Sequence, residues 1–335
     1  MNATLNLITD VPGIRVGHAD DPVLASGVTV LLFDEPCVAA VTLPGGAPGG
    51  RDTALLDPEM TVEAVDAIAL SGGSAFGLDA ASGVQAWLRE CGRGFIIRGM
   101  SVPLVPQAIC FDLLNGGDKD WGVYPPYREL AYRACDAAEK GFALGTAGAG
   151  FGATTVDLKG GIGSASAVTP AGFRVGALAV VNSIGSAIVG GGPHFWAAPW
   201  EQDAEFGGLG SKLRLDPDDL RLVWKGGPGL GTTLAVVATD ARLTKAQAKR
   251  VATMAEAGLA RALRLTFAPL DGDTVFAVAT GRGQVADTPS ALTEIGAVAA
   301  DCLTRAIARG VFEARPLGTE NSHPSWRDMF ARTAN

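Results

Sequence analysis

The chain has 335 residues, 47% of them hydrophobic, enough to bury a large core in one big domain or two smaller ones. A formal charge of −8 and no block of Lys or Arg argue against nucleic acid or an anionic membrane surface as a partner. No apolar run reaches the length of a membrane span, and Met1–Asp10 has neither the basic nor the apolar region of a signal peptide.

Gly27–Phe33 and Val38–Leu43 read as two adjacent strands, followed by the loop Pro44–Gly50 with Arg51 and Asp52. That loop is either a tight crossover turn or a pocket wall whose glycines let backbone amides reach a ligand. Ala67–Leu70 is a short apolar strand, turned by Ser71-Gly72-Gly73-Ser74 into a helix over about Ala75–Glu90 that ends at Gly92. Leu78, Ala81, Val84 (or Gln85) and Leu88 form its apolar face. The junction has free N–H groups for an anion but lacks the spacing of a P-loop or a dinucleotide fingerprint. Phe95–Ile97 is a short strand. Val102–Cys110 leads into a polar turn, Phe111–Asp118, and Pro126–Lys140 reads as a helix.

Small residues dominate Gly145–Ala153 and Lys159–Ser166, so either two sheets approach closely there or backbone lines a narrow site. Lys159 is the only charge near these glycines. Val175–Val181 is a strongly apolar strand ending at Asn182. Gly191–Trp200 is aromatic and irregular, and reads as a subunit contact rather than a lid. Glu201–Lys225 is highly charged and reads as an exposed, mobile connector.

Gly226–Asp240 organises the rest. A Gly- and Pro-rich run ends at Gly231, and Thr232–Thr239 then reads as a strand buried on both faces. A Thr232 hydroxyl could attack the carbonyl of Gly231, which has no Cβ to block the approach. The N→O shift gives an ester, and water would leave Thr232 as a new N-terminus whose amine serves as a built-in base. Beyond it, Thr244 and Gln247 make a capping box for a helix reaching Arg264. Asp271-Gly272-Asp273 precedes the strand Thr274–Val278, and Thr288-Pro289 starts a last helix closed by Gly310. Strands flanked by small-residue helices indicate an α/β layered fold. The five cysteines are widely spaced without a C-x-x-C, which suggests reduced thiols in the cytoplasm used as small core residues. His18, His194 and His323 lie far apart, and no metal site is predicted.

These residues carry a resemblance. Val16-Gly17-His18, the Gly45–Arg51 loop, Leu70–Leu78, Ala147–Gly150, Lys159–Gly163, Val180–Asn182, Gly231–Thr233 and Asp271–Asp273 occur together, in this order, across nearly the whole chain. The chain resembles the L-aminopeptidase/D-esterase family of self-processing N-terminal nucleophile hydrolases, which also includes β-peptidyl aminopeptidases and the nylon-oligomer endo-hydrolase. The resemblance implies a four-layer α/β/β/α sandwich, self-cleaved into 1–231 and 232–335, with the two chains staying together in a homotetramer.

It places Thr232 as nucleophile after Gly231, and Lys159 and Asn182 beside it. Asp271 and Asp273 become the paired acids, and Phe111 and Thr233 lie against the substrate. Thr232 with two aspartates is nearer the nylon-hydrolase branch, since the aminopeptidase branch carries Ser with a Ser–Glu pair. Phe111 stands where several members have a tyrosine, leaving the oxyanion to Asn182 and backbone N–H groups. One aspartate is expected to orient the nucleophile and the other to pair with Lys159 or a substrate amine. Lys159 is expected to serve chemistry rather than folding.

The implied activity is hydrolysis of amide bonds in short peptides or ω-amino-acid oligomers through an acyl-enzyme, without a cofactor. The rivals are an acyltransferase of the ornithine acetyltransferase type, which also cuts itself before a threonine, and a non-enzymatic oligomer that keeps the fold and the processing.

Overall fold

The computed structural model describes residues 4–226, 231–286, 288–319 and 322–330. β1 (Ile14–Asp21) pairs antiparallel with the first half of β2 (Ser26–Thr42). β3 (Gly50–Arg51), β4 (Val65–Ser71) and α1 (Ala80–Glu90) follow. β5 (Phe95–Ile97) and β6 (Met100–Val102) make a separate ribbon with exposed apolar side chains. Next come β7 (Gln107–Ile109), α2 (Tyr127–Asp136), β8 (Gly161–Val168) and β9 (Arg174–Asn182). β10 (Thr232–Thr239), α3 (Lys245–Ala262), β11 (Thr274–Ala279), α4 (Pro289–Phe312) and the short α5 (Trp326–Phe330) complete the order.

The strands run β3-β7-β4-β2-β11-β10-β9-β8, with β1 also on β2. The two strands expected over Gly27–Leu43 are one. Its first half pairs with β1 and β4, and its second half, Val38–Thr42, pairs with β11. The register breaks between Leu32 and Cys37, where Asp34, Glu35 and Pro36 are exposed. Pro36 has no N–H for a ladder, so the strand turns a corner there instead of folding back.

This corner divides the strands into two stacked sheets, and alternation sorts their side chains. Leu31, Ile68 and Leu70 of one sheet meet Leu178, Val180, Leu234, Val236 and Phe276 of the other. Val30, Leu32, Ala67 and Ala69 face away, onto Val84 and Leu88 of α1 and Leu130 and Ala134 of α2. Ala177, Ala179, Ala235 and Val237 face the opposite way, onto Val251 and Leu259 of α3 and Ile295 and Leu303 of α4. The result is the expected α/β/β/α order, produced by the period of two in each strand.

Several local expectations need correction. The helix begins at Ala80, because Ser74–Asp79 is a 3-10 turn in which Gly77 sits on the Gly72 carbonyl too closely for any side chain. Lys159–Ser166 contains the edge strand β8, and the backbone that approaches it closely is a helix rather than a sheet. A Cβ on Gly163 would lie 1.7 Å from the Ala306 carbonyl oxygen. Gly310 serves the same contact. It lies inside α4, which continues to Phe312, and does not close it. Within the aromatic segment Phe195 stacks on Trp326 and meets Phe206 and Phe312 edge-on, so this side chain belongs to an intramolecular core. The charged connector is anchored, since buried Glu205 binds Arg305 at 2.5 Å. Cys91 is exposed while the other four cysteines are buried, and all five are free. The Thr244–Gln247 capping box forms as expected.

Candidate functional site

Thr232 opens β10, a strand buried along its whole length between β9 and β11. Its partner across the antiparallel register is Asn182, the last residue of β9. A central strand covered on both faces accepts the small and β-branched run Thr232–Thr239. Gly231 bridges in parallel to Asp271, and a Cβ on it would lie 2.2 Å from the Ile184 nitrogen. Only glycine fits there. The Gly231 carbonyl oxygen accepts two hydrogen bonds, from Thr232 Oγ1 at 2.5 Å and from the Gly272 N–H at 3.0 Å. Gly227, Pro228, Gly229 and Leu230, the middle of the expected flexible run, lie outside the described residues.

The two aspartates enter β11 beside this carbonyl, but they are not equivalent. Asp273 is held by backbone, accepting from Thr233 N at 2.7 Å and Phe267 N at 3.1 Å. Burial raises its pKa. Asp271 is 1% exposed, and no contact of either carboxyl oxygen meets hydrogen-bond geometry among the described residues. The two carboxyls are nonetheless close enough for their charges to interact. Burial first, and then the Asp273 charge, push Asp271 up to about 8. Gly272 between them packs on Thr232, for a Cβ there would lie 2.6 Å from Thr232 Oγ1.

The Pro44–Gly50 loop turns out to brace these acids. Ala47 N donates to the Asp271 carbonyl at 2.8 Å and Gly45 N to that of Asp273 at 3.2 Å. Its glycines permit close backbone contact within the protein, with a Cβ on Gly45 only 2.4 Å from the Asp271 oxygen.

Lys159 is fully buried, as a chemical role would require, but its partners differ from those expected. Its amine donates to the carbonyls of Gly150, Ala153 and Gly160 at 3.1, 2.7 and 2.8 Å, and pairs with neither aspartate. Burial lowers its pKa to about 7. The cation whose charge reaches Asp271 is Lys225, which the sequence reading left in the exposed connector. Lys225 Nζ donates to the Thr154 carbonyl at 2.7 Å and to the backbone oxygen and Oδ1 of Asn182, each at 3.2 Å. Burial lowers it to about 7 as well.

Asn182 is 1% exposed. Its Oδ1 also accepts from Thr154 N at 3.0 Å, and its Nδ2 donates to the Phe111 carbonyl at 2.9 Å. Thr232, Asn182, Asp271 and Asp273 are thus brought together, while Lys159 sits behind a wall of carbonyls.

Phe111 lines a cavity of about 390 Å³ with Asp112, Asn115, Thr154, Trp224, Lys225 and His323. A second cleft of about 390 Å³, nearly all apolar, lies between Ile184, Leu222, Pro269 and Leu270, with Trp224 and Lys225 forming a wall common to both. Thr233 lines neither cavity and is fully enclosed. Asp112 was also missed as a site residue. The Ser71–Ser74 junction, read as a possible anion site, holds this carboxylate of the chain itself: Gly73 N donates to Asp112 at 2.7 Å and Ser26 Oγ at 2.6 Å. No spacing in the sequence ties Asp112 or Lys225 to the junctions they serve.

A family model, peptidase family S58, matches residues 6–325, so the chain belongs to that family. It is a hydrolase of amide bonds. A Mycobacterium tuberculosis protein described as an uncharacterized aminopeptidase is 44% identical, over 97% of this chain and 98% of the relative. The 6-aminohexanoate-oligomer endohydrolase of a Kocuria species is 27% identical, over 89% and 84% of the two chains. Among solved structures, the L-aminopeptidase D-Ala-esterase/amidase of Ochrobactrum anthropi, described as a variant of the Ntn hydrolase fold, superposes with a TM-score of 0.68 at 20% identity. It covers 97% of this chain and 93% of its own. No helix among the described residues is long and apolar enough to cross a membrane.

Proposed function

We propose that the chain is a self-processing amide hydrolase whose nucleophile is Thr232, freed by cleavage after Gly231. The observation that carries this reading is the Gly231 carbonyl. It has the Thr232 hydroxyl on its oxygen, a second donor at Gly272 N, and in the next strand connection a buried carboxyl, Asp271, whose contacts among the described residues do not meet hydrogen-bond geometry. A backbone N–H already on that oxygen is positioned for the charge that develops when a nucleophile adds to the carbon.

In self-cleavage Thr232 Oγ1 adds to the Gly231 carbonyl carbon and the C–N bond to Thr232 breaks. The hydroxyl proton passes to the departing amine with Asp271 as carrier. Water then adds to the ester and its C–O bond breaks, leaving a carboxylate on Gly231 and a free hydroxyl and α-amine on Thr232. In turnover the same hydroxyl attacks a substrate amide, and the α-amine takes its proton and returns it to the leaving amine. Asn182 Nδ2, with one N–H beyond its bond to Phe111, and Gly272 N serve the oxyanion. Lys159, with its amine on three carbonyls, shapes the field and does not touch Thr232.

The substrate class is short peptides or ω-amino-acid oligomers. The relatives' names support it, and so does the cavity that combines Phe111 and Trp224 with Asp112 and Lys225. Free, mostly buried cysteines support a reducing compartment, the cytoplasm.

The test is mass spectrometry of the purified protein with a panel of short amides. Two fragments, 1–231 and 232–335, should co-elute under native conditions and release free acid without an added amine acceptor. Thr232→Ala should remain one inactive chain, and Thr232→Ser should still be cut. Normal processing of Thr232→Ala sinks the reading, and acid release only with an amine acceptor supports a transferase instead.

A further inference from the structure

Two lysines flank the site, Lys159 fully buried and Lys225 half-buried, and only Lys225 touches a side chain of the site. Lys159 bonds three backbone carbonyls, whereas Lys225 bonds the Asn182 side chain. Asn182 Oδ1 takes two donors, Thr154 N at 3.0 Å and Lys225 Nζ at 3.2 Å. A flipped amide would turn its own NH2 group onto both, so the pair fixes which end of Asn182 faces Phe111. Lys225 is itself held in place by its backbone N–H, which donates to the Ile184 carbonyl at 3.0 Å. Ile184 in turn packs against Gly231. One short segment therefore links the lysine, the asparagine and the scissile residue.

We propose that Lys225 is a positioning residue for self-cleavage: its ammonium locks the Asn182 amide beside Thr232 and supplies the positive charge facing Asp271 while the chain is uncut. The proposal rests on the self-processing reading. It follows from where Lys225 lies in the chain. Lys225 is on the side of the cut that acquires a free end, while Asp271 is on the other. Before the cut the Thr232 nitrogen is an uncharged amide and cannot balance Asp271. After the cut it is an ammonium and can. Lys225 fills that role for the first step alone, which explains a half-buried lysine turned into the site at the end of a largely exposed connector.

The experiment follows conversion of freshly purified full-length chain to fragments by mass spectrometry, for wild type, Lys225→Met and Lys225→Arg. The Met variant keeps side-chain length without charge and should cut at least about tenfold more slowly, while the Arg variant stays within about threefold of wild type. The ratio of wild-type to Met-variant rates should fall between about pH 6 and about pH 9, as the ammonium of the wild type loses its proton. The groups facing that ammonium are Asp271, Cys110 and Lys159. All three remain in the variants, and Lys225→Arg, whose guanidinium keeps its charge across this range, controls for their own titration. If the Met variant does not fold by circular dichroism, Lys225→Gln gives the same comparison. Equal rates in wild type and the neutral variant, or a ratio flat in pH, overturn the proposal while self-processing stands. A wild-type chain that stays whole overturns both.

Discussion

Gly272→Ala is the sharpest probe of the geometry at Gly231. The new Cβ would lie 2.6 Å from Thr232 Oγ1 and 3.1 Å from the Ala47 carbonyl oxygen, where ordinary contact begins at 3.4 Å. The Ala47 side is backbone braced by its own hydrogen bond to Asp271, so the hydroxyl is what must move, by up to about 0.8 Å. Thr232 is 4% exposed and β-branched, with little freedom to find another rotamer. Displacing a reacting group by about 1 Å costs roughly a hundredfold in rate, or about 2.7 kcal/mol of barrier. Overpacking of this kind costs the fold about 1–3 kcal/mol. The assay is the rate of appearance of fragment 232–335, with Gly141→Ala as control because nothing lies within 4 Å of a Cβ there. A folded Gly272→Ala chain cut as fast as wild type would refute the placement of Thr232 against the Gly231 carbonyl.

Lys159→Ala should destabilise the protein by about 2–5 kcal/mol in urea unfolding, because it opens a cavity and leaves three carbonyls without their donor. This reverses the sequence-based expectation of an unchanged thermal midpoint, and an unchanged midpoint would return Lys159 to that reading. Its folded pKa of about 7 lies below the unfolded value of 10.5, so between those values the unfolded chain binds more protons and stability rises with pH. The stability difference between wild type and Lys159→Met should therefore shift in favour of wild type from pH 7 upward, by up to about 1.4 kcal/mol per pH unit; a difference constant from pH 7 to about 10 counts against a neutral buried amine. Asp271→Asn should fold normally and lose roughly a hundredfold or more in turnover. Asp273→Asn should instead lose about 1–3 kcal/mol of stability, since one of its two backbone N–H donors would face an NH2 group. Wild-type turnover in Asp271→Asn removes that residue from the chemistry.

The α/β layering was legible in the residues because strand periodicity is a local property, whereas the four-layer order came from the resemblance. Leu234 and Val236 against Ala235 and Val237 are sorted by alternation alone. The bend in β2 was not legible, because Pro36 reads equally as the end of one strand and as a corner within it. Only the pairing of each half with different partners decides between them. Gly310 misled for a related reason: a glycine after a long helix looks like a cap, whereas here it serves contact with β8, a strand far from it in sequence. At the site, Thr232, Asn182 and the two aspartates were found because family motifs mark them. Lys225 carries no such mark, and its charged neighbours in sequence are exposed. Its partners, Thr154 and Asn182, are distant in the chain. The inequality of Asp271 and Asp273 was hidden too, since two acids flanking a glycine look symmetric until the Thr233 and Phe267 N–H groups choose one of them.

That inequality gives the site its direction. Asp273 holds one backbone donor on each oxygen, Thr233 N and Phe267 N, so it fixes the start of β10 in place. Asp271, whose contacts among the described residues do not meet hydrogen-bond geometry and whose pKa burial pushes up to about 8, is neutral or charged according to what stands beside it. In the proposed self-cleavage, burial favours the protonated form of Asp271 and the Lys225 charge favours the ionised form, which suits a carrier between the Thr232 oxygen and nitrogen. Once the cut has made an ammonium at Thr232, the opposite charge favours the ionised form of Asp271. The carboxylate then stabilises the protonated amine and orients it at its own hydroxyl. One residue can thus move a proton in the first reaction and hold the base in every later one.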